Sequence, residues 1–151
     1  MKFYSYIFLG FIVASAISCD KEEEEPTITI NDLVGSWNAP SFVFTDLSNS
    51  NNVIDFIEIG GELRFTMLEN GGVRTWLTIE SISDEWDSQA VLTNSSTLTL
   101  TPVEAKRGSN TYEIVLGNNT LELTNYNDSF DFTLSEAEKV PASSVAIFVR
   151  N

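Results

Sequence analysis

The run 62–80 constrains the fold of this 151-residue chain more than any other. Leu63, Phe65 and Met67 alternate with Glu62, Arg64 and Thr66. Glu69-Asn70-Gly71-Gly72 follows, and then Val73, Thr75, Leu77 and Ile79 alternate with Arg74, Trp76, Thr78 and Glu80. Successive side chains of a strand point to opposite faces, so a period of two makes one apolar face and one polar face. Asn-Gly between two such runs is the strongest short-range hairpin signal, because both residues tolerate positive φ. The run is therefore an antiparallel hairpin with one face that must be covered. A lone hairpin is marginal in water, so the cover has to come from more strands of the same kind.

The flanking sequence supplies them. Residues 27–30 are a short β-prone lead-in, Asn31 or Asp32 is placed to cap one helical turn, and Gly35 breaks that turn into a strand. Phe42 and Phe44 share one strand face, with Val43 and Thr45 on the other. Residues 47–52 are a loop, 53–59 an apolar run interrupted by Asp55 and Glu58, and Gly60-Gly61 a turn or bulge. Past the hairpin, residues 83–88 read as a polar acidic loop around Trp86, and Val91 and Leu92 as a short strand. Leu98 and Leu100 alternate with threonines up to Pro102, and residues 104–110 are a loop. Tyr112, Ile114 and Leu116 share a face. Gly117-Asn118-Asn119 turns the chain into Leu121 and Leu123, and Asn127-Asp128 turns it again into Phe130, Phe132 and Leu134. Residues 135–139 suit one helical turn, with Ser135 and Glu138 spaced as a capping box. Residues 145–150 close the chain as an apolar strand.

Eight to ten short strands at close intervals, with no helix of useful length, predict an all-β fold. The expected arrangement is an antiparallel up-and-down meander closed as a barrel, with a β-sandwich as the alternative.

Composition narrows the function. Eight Lys and Arg face 22 Asp and Glu, a formal net charge of −14. Nucleic acid is not an expected partner, because phosphate neutralisation needs clustered cations and the only adjacent pair is Lys106-Arg107. The chain has no histidine, which removes the commonest general base and the commonest transition-metal ligand. Asp84, Glu85 and Asp87 could offer oxygens to Ca²⁺, yet their spacing matches no Ca²⁺ loop. No catalytic residue, metal or cofactor is expected.

The N-terminus has another purpose. Lys2 precedes a short apolar run over 6–14, and small residues Ala14, Ser15, Ala16 and Ser18 lead to Cys19, the one cysteine. This is the layout of a secretory signal, too short for a stable membrane span. With Ala16 at −3, Ser18 at −1 and Cys19 at +1, the segment resembles a bacterial lipobox. The resemblance implies cleavage after residue 18 and acyl chains on the Cys19 thiol, which anchor the protein to a membrane. An ordinary signal peptide with an incidental cysteine, or a buried core thiol, is the alternative. Residues 19–26 continue as Asp20-Lys21 and four glutamates before Pro26, a solvated acidic tether. That run also resembles the export signal of Bacteroidota-type surface lipoproteins, which implies an outer-membrane location on the cell surface. The periplasmic face is the alternative.

Within the remaining domain, residues 27–151, Leu33-Val34-Gly35-Ser36-Trp37 is similar to the Gly-x-Trp opening of lipocalin-like barrels. The resemblance implies an eight-to-ten-stranded lipocalin-like barrel. In it Gly35 and Trp37 form the closed end, beneath Arg150 from the last strand. It also implies a small apolar or amphipathic ligand, with Phe42, Phe44, Phe65, Phe130 and Phe132 as wall residues. The inward-reading faces are rich in Leu, Ile and Phe, so the barrel could instead be filled by its own side chains. It would then be a non-enzymatic interaction module presenting loops, with Trp86, to a protein or glycan partner.

Overall fold

A computed structural model describes residues 27–134 and 138–151. Cys19, the signal (1–18) and the tether (19–26) lie outside those residues, as does most of the helical turn expected over 135–139. Among the described residues, no helix is long and apolar enough to cross a membrane.

One short helix, α1 (Ile30–Leu33), precedes nine strands. These are β1 (Gly35–Asp46), β2 (Val53–Asp55), β3 (Gly61–Met67), β4 (Gly72–Ile79) and β5 (Ile82–Asn94), then β6 (Thr97–Pro102), β7 (Asn110–Leu116), β8 (Thr120–Phe130) and β9 (Val140–Arg150). Every strand from β3 to β9 pairs antiparallel with its neighbour in sequence. The long strand β1 closes the ring. Its first residues pair with β3, from Gly35↔Met67 to Asn38↔Arg64, while its other edge pairs with β9 from Trp37↔Arg150 to Asp46↔Ala142. Eight strands thus form a closed, lipocalin-like barrel. The ninth, β2, lies beyond the ring and pairs only with the far half of β1. Closure leaves the barrel no free edge, which removes the main aggregation hazard of an open sheet.

The central hairpin forms in the register its pattern demands. Met67↔Val73, Phe65↔Thr75 and Leu63↔Leu77 face one another on the inner side. The turn is closed by the Gly71 N–H, which donates to the Leu68 carbonyl at 2.9 Å.

Four local expectations change. Helix α1 is capped by Thr29, not by Asn31 or Asp32: the Thr29 N–H and hydroxyl both donate to the Asp32 carboxylate, at 2.8 and 2.7 Å. The apolar run 53–59 is a strand only as far as Asp55. Asp55 then accepts hydrogen bonds from Ser41 Oγ and the N–H groups of Phe42 and Ile57, and the chain turns so that Phe56 tucks inward. Residues 83–88 are not a loop but half of β5. Ile79 pairs with Ile82 across a two-residue turn, and Trp86 and Ser88 share the inner face with Thr75 and Val73. Glu85 and Asp87 point outward, both within 3.4 Å of Arg74 Nε. Its one large apolar side chain, Trp86, stands among Ser, Asp and Glu, so its composition reads as a loop. Lastly, Asn127-Asp128 is no turn. The register of β8 against β9 shifts between Asn125 and Asp128, a bulge inside one continuous strand.

The interior divides into two packed regions. At the end covered by α1, Leu33, Trp37, Met67, Leu98, Leu121 and Phe148 form a core with almost no solvent access. At the other end Phe44, Phe56 and Ala142 form a second cluster, with Phe42, Phe130 and Phe132 against it. Gly61 permits this second cluster. A Cβ there would stand 2.1 Å from the Phe56 ring.

Candidate functional site

The floor of the barrel is built by α1 and the ends of β1 and β9. The Trp37 ring is fully buried, and its Nε1–H donates to the Leu33 carbonyl at 2.9 Å. Arg150 Nη2 donates to the neighbouring carbonyl of Asp32, and the guanidinium lies 4.5 Å over the Trp37 ring. Carbonyls at a helix C-terminus have no partner within the helix. Here an indole and a guanidinium satisfy two of them and seal the end. Gly35 sits beside them at φ +132°, a conformation that L side chains rarely adopt. Gly35, Trp37 and Arg150 therefore lie together at the closed end.

Above this floor the barrel holds a cavity of about 880 Å³. That lies within the ordinary range for a small-molecule site, roughly 300–1,000 Å³. Phe42, Phe44, Phe65 and Phe130 all line it. Phe44 stacks on Phe130 with centroids 4.1 Å apart and planes 18° apart, and Phe42 lies 4.4 Å from Phe44. Phe65 joins cavity to floor, edge-on to Phe148 at 4.8 Å and stacked at 6.1 Å on Trp37. Phe132, expected as a fifth wall residue, is not part of the lining. Strand β8 ends at Phe130, the alternation ends with it, and Phe132 packs edge-on against Phe130 at 5.3 Å.

Several polar groups interrupt the apolar wall. Thr75 and Ser88 are buried on the inner faces of β4 and β5, and neither hydroxyl has a hydrogen-bond partner among the described residues. Across the cavity, Asp128 is turned inward by the β8 bulge. Its Oδ2 accepts from Ser144 Oγ at 2.7 Å and its Oδ1 from the Ser129 N–H at 2.8 Å. Tyr112 is walled in by protein and lines the same space. Burial, and then the charge of Asp128, push its phenol up to about 12.

The mouth lies at the end opposite α1. Glu80, Asp131 and Glu138 stand there with one cation, Lys139, and with the exposed side chains of Ile59, Ile82 and Leu134. Arg107, from the segment joining β6 to β7, lies 4.7 Å over the Trp86 ring, and its Nη2 is 2.7 Å from both Asp84 carboxylate oxygens. The acidic trio around Trp86 is thus paired with arginines, Asp84 with Arg107 and the other two with Arg74. Among the described residues, no three His, Cys, Asp or Glu side chains cluster to hold a metal.

Sequence reasoning missed Trp86, Tyr112 and Asp128 as cavity residues. The signal for Tyr112 was present in its alternation with Ile114 and Leu116. Asp128 gave none, because a bulge reverses the side on which alternation would place it. No protein-family model matches the chain, and comparison with curated proteins finds no relative.

Proposed function

We propose that this chain is a lipid-anchored binding protein that holds a small apolar or amphipathic molecule inside its barrel, without catalysing a reaction. The cavity of about 880 Å³, walled by stacked phenylalanines, is the observation that carries the reading. An eight-stranded barrel is wide enough either to fill with its own side chains or to enclose one small ligand. Here the packed floor and the second aromatic cluster leave space between the barrel walls. The absence of histidine supports binding over chemistry. Anchoring rests on Cys19 after a signal-like segment, and the acidic tether suits display at the outer membrane, on the cell surface or the periplasmic face. The loop-presenting alternative has less support, because Trp86 belongs to a cavity wall and residues 83–88 to a strand.

A naphthylamine dye whose emission rises in apolar surroundings tests the reading. It should bind one to a chain and be displaced by long-chain lipids. A folded protein that binds neither dye nor lipid overturns the proposal.

A further inference from the structure

The cavity is apolar on most sides, yet its polar groups are not scattered. Tyr112 on β7 and Asp128 on β8 both line it, on adjacent strands, with Ser144 of β9 hydrogen-bonded to Asp128. The Tyr112 hydroxyl has no hydrogen-bond partner among the described residues, although the side chain lines the cavity and packs against the core. A phenol hydroxyl facing an apolar cavity without a partner leaves a hydrogen bond unmade, so such groups are normally satisfied by something. Asp128 has capacity to spare as well. A carboxylate offers about four lone-pair sites, and two are used, by Ser144 and by the Ser129 N–H. The wall therefore presents one free donor and, on the neighbouring strand, one acceptor with room.

We propose that Tyr112 and Asp128 form a head-group site for a hydroxyl, so that the ligand is an uncharged, alcohol-headed apolar molecule and not a fatty acid. This rests on the binding function proposed above and names its ligand class. A hydroxyl is the smallest group that accepts from Tyr112 and donates to Asp128 at once. A ligand carboxylate would accept from Tyr112 but lie against the Asp128 charge, in surroundings where like charges repel far more strongly than in water. Among the described residues, nothing charged on the lining offsets that repulsion except Lys139, which stands at the mouth with Glu80, Asp131 and Glu138. An ammonium would satisfy Asp128 and leave the Tyr112 hydroxyl without an acceptor. The persistence of the neutral phenol to high pH keeps it a donor throughout the ordinary range.

The test uses three probes with one chain length, decan-1-ol, decanoate and decylamine, each titrated at pH 8 against the full folded domain by displacement of the naphthylamine dye. Decanol should bind at least tenfold more tightly than decanoate and more tightly than decylamine. Tyr112→Phe should weaken decanol about five- to tenfold, the worth of one hydrogen bond, with displacement read against a dye affinity measured on that variant. Asp128→Asn should narrow the preference for decanol over decanoate by removing the like charge. Should either variant fail to fold, the wild-type ranking and the other variant still decide. Equal or tighter binding of decanoate or decylamine overturns the head-group assignment, as does a Tyr112→Phe variant with unchanged decanol affinity. In those cases chains still bind and the wider binding function stands. If no probe and no dye binds, that function fails and this inference fails with it.

Discussion

The guanidinium of Arg150 lies 4.5 Å from the centroid of the Trp37 ring, its partner across the β1–β9 ladder, so the last strand locks onto the first at the end that α1 covers. The contact joins a cation–π interaction to a hydrogen bond with the Asp32 carbonyl. Together these are worth about 2 kcal/mol. Arg150→Ala should lower the melting temperature by roughly 5–10 °C, read by circular dichroism. Arg150→Lys should recover only part, because an ammonium cannot stack flat on the indole while reaching the carbonyl. An unchanged melting temperature in Arg150→Ala would show that the barrel end is held without this contact.

Gly61→Ala tests the packing beneath β2. The added methyl would stand 2.1 Å from the Phe56 ring, so the ring must leave its place beside Phe44. The expected loss is about 1–3 kcal/mol, the usual cost of overpacking, measured by urea denaturation. A variant as stable as the parent means that Phe56 has somewhere else to go.

Ser88→Phe separates binding from stability. Ser88 faces the cavity from β5 with no hydrogen bond to lose among the described residues, so a phenyl ring there should occupy ligand space. Dye affinity should fall at least tenfold while the melting temperature holds or rises. Retained affinity would place the binding site elsewhere.

Alkaline stability should report on Tyr112. Burial and the Asp128 charge push its folded-state pKa up to about 12, above the ~10 of an unfolded tyrosine. The folded form therefore keeps a proton that the unfolded chain has already released. The contribution is whole below pH 10 and is lost as pH rises towards 12, by about 2–3 kcal/mol in all. Denaturant titrations of the parent and of Tyr112→Phe at pH 9, 10, 11 and 12 should show a steeper decline for the parent. Parallel curves would mean that the phenol is not desolvated in solution.

Cys19→Ser tests the anchor, since a hydroxyl is a far poorer nucleophile than a thiolate for acyl transfer. The variant should leave the membrane fraction, with the melting temperature of the domain unchanged. A variant that still floats with membranes, or one that unfolds, would remove the lipid-anchor proposal.

Local pattern was enough for part of this protein. The period-two runs around Asn70-Gly71 placed Leu63, Phe65, Met67, Val73, Thr75 and Leu77 on one face, and the register of β3 and β4 agrees residue by residue. Phe42, Phe44 and Phe65 were legible as inward for the same reason: side-chain direction along a strand depends only on position, whereas Phe130 lies beyond the β8 bulge and faces inward by the same shift as Asp128. Other features have no local signature. That residues 83–88 form a strand depends on the backbone ladder with β4, where Arg74 from that strand and Arg107 from further along the chain meet its acids. That Asp128 faces inward depends on a bulge against β9, and its approach to Tyr112 on the neighbouring strand as well. The cavity itself depends on closure, in which β1 divides its pairing between β3, β9 and β2. Alternation sets which side chains point inward, but the space they leave is set by strand number, tilt and stagger around the whole ring, which only the pairing of distant segments decides.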